Sequence, residues 1–304
     1  MVSKTVSTSA LPKWLTPQQL SSMAIAKLID YGQQFLLAHS DSAKLDVELL
    51  ICFVIDQPRS YLLTWPEQTL SLVQTRHFAE LLCRRIDGEP IAYIVQTREF
   101  WSLPLKVSPA TLIPRPDTEV LVEMVLENHS SKKLSCLDLG TGTGAIALAL
   151  ASEQGDWKID AVDFSAEAVA LAKTNASDLN LTHVNILQSD WFSALKLGED
   201  QYDIIVSNPP YLDENDQHLI QGDVKFEPKT ALVAGDNGLA DIKHIASEAL
   251  NYLKNAGCLY IEHGCEQALS VKDILAGLGY EKIQTFKDYN GHDRITCGCF
   301  IRDY

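Results

Sequence analysis

The chain has 304 residues, 46% of them hydrophobic and 21% charged, with 40 acidic against 25 basic side chains and a formal net charge of −15. That length and balance suit a soluble globular protein of one large or two ordinary domains with a sizeable core. A surface so negative repels a phosphate backbone unless a basic patch is segregated, and no run of lysine or arginine exceeds the pairs Arg84-Arg85 and Lys132-Lys133.

The first predicted helix starts at Thr16-Pro17, a good cap followed by proline in the first turn, and continues through Leu20, Met23, Ala24, Leu28 and Ile29 at helical spacing. Further helices are expected over Ser42–Val54 and Glu67–Ile86, and Asp87-Gly88-Glu89-Pro90 closes the block with breakers. Residues 1–88 thus read as a small helical domain of about four helices. Ile91, Tyr93 and Val95, then Phe100, Leu103, Leu105 and Val107, read as a strand pair, a β-hairpin linker over 89–110. Leu112-Ile113-Pro114-Arg115-Pro116-Asp117-Thr118-Glu119 then leads into an acid-capped helix that runs to Leu126.

From 134 onward, strands are expected at Leu134–Leu139, Lys158–Val162, Val184–Leu187, Asp203–Ser207 and Cys258–Glu262. They alternate with helices at Ala145–Glu153, Ala166–Leu179, Leu239–Leu253 and Glu266–Leu278. Such alternation predicts an α/β domain over 111–304, with a parallel sheet covered on both faces. Lys282–Phe286 and Asp293–Ile301 have no helix between them and predict an antiparallel hairpin at the sheet edge.

The seven cysteines (Cys52, Cys83, Cys136, Cys258, Cys265, Cys297 and Cys299) are scattered and form no Cys-x-x-Cys. They read as reduced packing thiols, with neither a disulfide framework nor a zinc site, so no metal is expected. The N-terminal MVSKTVSTSALPKWL lacks a signal-peptide core, and no apolar run reaches membrane-spanning length. A cytoplasmic location without a membrane partner follows as an expectation.

Chemistry is expected at the strand ends. Gly140-Thr141-Gly142-Thr143-Gly144 closes the first strand and opens a helix; glycine there permits positive φ and close approach of a ligand. The dinucleotide fingerprint is not met, because its third glycine would fall on Ala145, and the turn has no phosphate-binding lysine. A tight turn without a ligand is the alternative. Asp163 follows the second strand, where a carboxylate can accept both hydrogen bonds of a ribose diol; the alternative is a cap for the helix near Ser165. Trp191, beside Asp190 after the third strand, suits packing against adenine, although a lone tryptophan is more often core.

After the fourth strand comes Asn208-Pro209-Pro210-Tyr211. Each proline fixes its own φ and holds the residue before it extended. The expected result is a rigid pair of acceptors, the Asn208 side-chain oxygen and the Pro209 carbonyl, suited to both donors of a planar –NH2 group, with Tyr211 as a flat wall. The alternative is a stiff turn and nothing more.

The glycine turn with Asp138, Asp163 and Trp191 resembles the class I methyltransferases that use S-adenosylmethionine and release S-adenosylhomocysteine. The resemblance implies a Rossmann-like, mostly parallel seven-stranded sheet with an antiparallel C-terminal hairpin. Asn208 through Tyr211 resembles enzymes that methylate adenine N6 or glutamine amides. The chain as a whole is similar to the HemK/PrmC family, the glutamine N5-methyltransferases of peptide chain release factors. That similarity rests on residues 113–119, Asp138 through Ala145, Asn208 through Tyr211, Phe226-Glu227-Pro228 with Ala231-Leu232, and Asp288 with Arg294. It implies bacterial class I release factors as protein substrate, met at the glutamine of their Gly-Gly-Gln tip, with Asn208 also beside the cofactor and Pro210 beside the substrate. It also implies no DNA partner and a chain that works as a monomer. Residues 1–88 would grip the substrate or serve stability alone. Arg115 and Glu119 would line the methionine end of the cofactor or pin the hairpin to the helix. A ribosomal-protein glutamine methyltransferase, an adenine-N6 methyltransferase and a cofactor-binding module without catalysis remain the alternatives.

Overall fold

The computed structural model describes residues 20–129, 133–199 and 201–302, so the helix start at Thr16-Pro17 lies outside the described residues. The chain divides into two compact units, Met1–Gln96 and Thr97–Tyr304.

The first unit contains, among the described residues, helices α1 (Ile25–Leu36), α2 (Ala43–Ile55), α3 (Arg59–Thr64), α4 (Leu72–Ile86) and α5 (Ile91–Val95). Ile25, Leu28, Ile29 and Leu36 of α1 pack with Val47, Leu50 and Ile51 of α2 and Phe78 and Leu82 of α4 in one core, the helical spacing bringing each set onto one face. Within this unit Arg85 Nε reaches Asp46 Oδ2 at 2.7 Å, both side chains buried. Ser40 and Ser42 hydroxyls also donate to Asp46, and Arg85 donates to the Glu89 carbonyl, so the buried charges are satisfied.

Two expectations need correction here. The helix expected from Glu67 begins at Leu72, because Ser71 and Gln74 form a reciprocal capping box that starts it there; a separate helix, α3, precedes it. Residues 91–95 are a helix, not a strand. Pro90 starts it, and consecutive Ala92, Tyr93 and Ile94 are all buried, which an alternating strand with one solvent face does not allow. The hairpin is confined to β1 (Thr97–Phe100) and β2 (Leu103–Lys106), paired antiparallel within the second unit.

In that unit a 3₁₀ turn (Pro116–Thr118) leads into α6 (Glu119–Asn128). Then follow β3 (Ser135–Leu139), α7 (Ala145–Glu153), β4 (Lys158–Asp163), α8 (Ala166–Asp178), β5 (Asn185–Gln188), β6 (Tyr202–Ser207), α9 (Ala240–Ala249), β7 (Leu253–Glu262), α10 (Ala268–Gly277), β8 (Glu281–Lys287) and β9 (Asp293–Phe300). The sheet order is β5-β4-β3-β6-β7-β9-β8. The first five strands are parallel, and β9 runs antiparallel to both β7 and β8. The expected helix Leu239–Leu253 is shorter than predicted, since Leu253 already opens β7.

Alternation along the strands feeds two cores. Cys136, Ile204 and Val206 face α6, α7 and α8, whereas Leu137, Leu139 and Ile205 face α9 and α10. Strand order reverses between β3 and β6, where open α/β sheets leave a crevice at the carboxyl ends.

Cys258 and Cys299 form a disulfide, contrary to the expected seven reduced thiols. They are 41 residues apart in sequence but stand opposite each other in the β7–β9 register, a proximity that only the antiparallel pairing creates. Cys52, Cys83, Cys136, Cys265 and Cys297 are free thiols. Among the described residues no helix is long and apolar enough to cross a membrane.

Candidate active site

The carboxyl ends of β3, β4 and β6 open on a cavity of about 360 Å3. The glycine turn forms its floor. Gly140, Gly142 and Gly144 have φ of +72°, +56° and +85°, a run that side-chain-bearing residues adopt only under strain. Gly140 through Thr143 line the cavity. Gly144, expected beside them, is the cap of α7, and a Cβ there would lie 3.0 Å from Leu148 and 3.3 Å from Ala172.

Asp138 lies fully buried behind this turn. Its Oδ2 accepts from the Thr141 hydroxyl at 2.6 Å and the Ala147 N–H at 3.2 Å, while Oδ1 has no hydrogen-bond partner. Burial pushes its pKa up to about 7, against the two donors that favour the charged form.

Asp163 ends β4 and reaches the cavity wall. It is not the cap of α8: Ser165 is, with its hydroxyl accepting from the Ala168 N–H. Asp163 Oδ2 accepts from the Gly142 N–H at 2.8 Å and Oδ1 from the Ser165 N–H at 2.9 Å. A carboxylate offers about four lone-pair sites, so each oxygen keeps capacity for a further donor. Burial raises its pKa above the ordinary carboxylate value. Trp191 lines the same cavity from the loop after β5. Its indole lies 3.6 Å from where a Gly140 Cβ would be, and its backbone sits at φ +46°. The Ser189 hydroxyl holds this bend by donating to the Trp191 carbonyl at 2.6 Å.

Asn208 and Pro210 follow β6 and line the cavity; Pro209 is buried between them. Asn208 Nδ2 donates to the Thr118 hydroxyl at 3.2 Å, which leaves its oxygen without a protein partner among the described residues. Tyr211 is not on the cavity wall. Its hydroxyl approaches Glu262 Oε1 at 3.5 Å, and its carbonyl accepts from Gln267 Nε2 at 3.0 Å. Glu262 is 1% exposed, and its Oε2 has no hydrogen-bond partner. Burial raises Glu262 to about 7. Burial, then the Glu262 charge, pushes the Tyr211 phenol well up. Behind them, Arg294 donates to Asp288 at 3.1–3.2 Å from two nitrogens, joining two residues singled out in the sequence.

The segment at 113–119 divides its tasks. Arg115 lines the cavity and pairs with buried Glu227 at 2.6 Å, whose other oxygen accepts from the Ile113 N–H. Glu119 accepts from the Trp101 N–H at 2.8 Å and so pins the tip of the hairpin to α6. On α8, buried Asn175 grips the end of β2 by the Lys106 N–H and carbonyl and also donates to the Thr143 carbonyl. Sequence reasoning singled out neither Asn175 nor Glu262, Gly238 or Gln267. Glu262 carried a signal: an acid closing an otherwise apolar strand.

The chain matches the Methyltransferase small domain family over residues 116–226 and the PrmC N-terminal domain family over residues 27–95. It is 52% identical to a release factor glutamine methyltransferase of Shewanella oneidensis, over 90% of this chain and 95% of that protein. It is also 52% identical to a protein of the same name from Escherichia coli, over 88% of this chain and 95% of that one. Among solved structures, a methyltransferase from Pyrococcus furiosus shares the fold, with a TM-score of 0.51 and 18% identity over 74% of this chain and all of that one.

Proposed function

The chain belongs to the release factor glutamine methyltransferase family, and from that premise we propose how its second unit performs the transfer. The protein is an S-adenosylmethionine-dependent glutamine methyltransferase that acts on release factors. We assign the reaction to the N5 nitrogen of the glutamine in the Gly-Gly-Gln tip. The observation that carries the reading is that Asn208, Pro210 and the glycine turn border one cavity.

The residues present fit the cofactor. The unpartnered, buried Asp138 Oδ1 beside the turn suits a cationic ligand. Asp163 retains acceptor capacity for a ribose diol, and Trp191 offers a flat apolar face next to Gly140. Cofactor contacts are therefore assigned to Gly140, Thr141, Gly142, Thr143, Asp163 and Trp191. When bound, S-adenosylmethionine supplies a methyl group already activated by its sulfonium, so the chemistry asks for no Lewis acid.

The chain's own work is positioning. An amide nitrogen is a poor nucleophile, because its lone pair is delocalised into the carbonyl. The Asn208 oxygen and the Pro209 carbonyl are assigned the two N–H groups of the substrate amide. Held so, the nitrogen has its lone pair directed at the methyl, and the acceptors stabilise the positive charge that develops on it. The methylated nitrogen is a strong acid and gives its proton to solvent without a dedicated base. Pro209 and Pro210 keep both acceptors from relaxing. Tyr211, held by Gln267 and close to Glu262, is assigned the flat wall beside the substrate amide.

The helical unit is assigned to holding the body of the release factor. The PrmC N-terminal match and the exposed Leu63, Trp65 and Val73 support this. All cavity residues come from one unit of one chain, which supports action as a monomer, and we place that action in the cytoplasm. The test is mass spectrometry of bacterial release factors after incubation with enzyme and S-adenosylmethionine. One added methyl on the Gly-Gly-Gln glutamine is expected; methylation of a ribosomal protein or of DNA instead would overturn the assignment.

A further inference from the structure

The register of the sheet places Glu262 in an informative position. Ser207 of β6 pairs with Ile261 of β7, so Asn208 and Glu262 leave adjacent parallel strands at the same level. Between them stands Thr118, at the end of the 3₁₀ turn before α6. Asn208 Nδ2 donates to the Thr118 oxygen. The Thr118 hydroxyl is near enough to the Glu262 carboxyl to be foremost among the groups that favour its charged form, while Glu262 Oε2 has no hydrogen-bond partner. The Tyr211 hydroxyl approaches the same carboxyl from the other side at 3.5 Å.

The donors and acceptors of this chain give it a direction. A carboxylate only accepts, so a hydroxyl facing it must donate. Threonine has one hydroxyl hydrogen; a Thr118 that turns it to Glu262 has an oxygen that can only accept from Asn208. The group of Asn208 that meets Thr118 must then be the NH2, and the oxygen is turned to the cavity. An amide in the opposite orientation would present a second donor to the substrate –NH2 and repel it.

We propose that Glu262 is the positioning residue that sets the orientation of the Asn208 amide, through Thr118, while bracing Tyr211 with the same carboxylate. Glu262 is not on the cavity wall and touches no reacting atom. The inference rests on the assignment of Asn208 as the acceptor of the substrate amide. The contact of Glu262 with Tyr211, at 3.5 Å, is long, as catalytic hydrogen bonds often are before substrate tightens them.

Glu262→Gln keeps the shape and supplies an NH2 donor, so it permits the threonine hydroxyl to reverse. At saturating S-adenosylmethionine and pH 8, kcat for a release factor should fall roughly ten- to a hundredfold, as expected for a misplaced amide. KM for the cofactor should stay within about twofold, because the cofactor residues are untouched. Wild-type kcat should decline as pH falls through about 7, where Glu262 takes up a proton, and the variant should lose that limb. The charged and titratable groups that face Glu262 are Arg294, Asp117 and Tyr211, with Asp288 behind Arg294.

A second readout is independent of substrate. In protein labelled with ¹⁵N-asparagine, the Asn208 side-chain NH2 should shift and lose exchange protection in Glu262→Gln, and Thr118→Val should reproduce the effect. A variant with kcat within about twofold of wild type at every pH overturns the proposal. So does loss of kcat with the Asn208 signals unmoved. If wild type transfers no methyl to release factors, the functional assignment fails, and the Asn208 signals still decide the role of Glu262.

Discussion

Gly238 offers the sharpest perturbation of the corner that ends β6. Its φ is +79°, and a Cβ built on it would lie 2.0 Å from the Tyr211 carbonyl oxygen and 2.8 Å from Gln267 Nε2. Real Cβ contacts are essentially never closer than 3.0 Å, so in Gly238→Ala the backbone of Tyr211 must move by about 1 Å or more. The wrong-handed φ costs about 1–2 kcal/mol, and forcing the packing apart costs about 1–3 kcal/mol. The sum, roughly 2–5 kcal/mol, should lower the melting temperature of this unit by about 5–15 °C. The functional effect is argued separately. A shift of that size in Tyr211 carries Pro210 and Asn208 with it, and misplacement of this order costs roughly a hundredfold in rate. Urea melts and single-turnover methyl transfer, with Gly277→Ala as control, check both numbers. Gly277 has open space around its Cα, and the control should be neutral or slightly stabilising. A Gly238→Ala protein that is destabilised yet turns over at the wild-type rate would refute the claim that this backbone fixes the acceptors.

Two further substitutions probe the cofactor side. Asp138 has its pKa raised from 3.8 to about 7 by burial, so its contribution to stability is fully present below 3.8 and is lost as pH rises to about 7. Asp138→Asn should therefore gain stability relative to wild type between pH 5 and pH 8 in thermal melts, while S-adenosylhomocysteine affinity by calorimetry falls roughly ten- to a hundredfold for loss of a charged partner. Equal stability differences at both pH values would contradict this reading. Asn175→Ala removes the bonds to both Lys106 backbone groups and to the Thr143 carbonyl. A loss of about 2–4 kcal/mol in urea unfolding is expected, together with a raised KM for S-adenosylmethionine because Thr143 loosens; an unchanged KM would count against the link from α8 to the turn.

Much of this was legible in the sequence because it is local. Strand and helix periods, the glycine run and the prolines of 207–210 each state a conformation without help from the rest of the chain. The helix at Ile91–Val95 was misread because apolar residues two apart also fit one turn of helix when the residues between them are buried too. What stayed illegible depends on register. Glu262 stands out as an acid that closes an apolar strand, but its meaning appears only when β7 sets it level with Asn208. The meaning of Gly238, too, appears only where the chain brings it against Tyr211. The Cys258–Cys299 pair likewise exists only across β7 and β9.

The sheet also explains why two carboxyls raised to about 7 can coexist so near the reaction. Asp138 pairs with Val206 from β3, and Glu262 follows Ile261 from β7, so they flank β6 from opposite sides. Each is charged only where something favours the charge: the two donors and a cationic cofactor for Asp138, and Thr118, Arg294 and Tyr211 for Glu262. Their titrations should then appear in different kinetic constants. Protonation of Asp138 weakens cofactor binding and raises KM, whereas protonation of Glu262 frees the Asn208 amide to turn and lowers kcat. Both effects strengthen as pH falls, yet Asp138→Asn should flatten only the first and Glu262→Gln only the second. A single variant that flattened both would mean that the two acids act as one coupled group, and the separation of binding from orientation across β6 would fail.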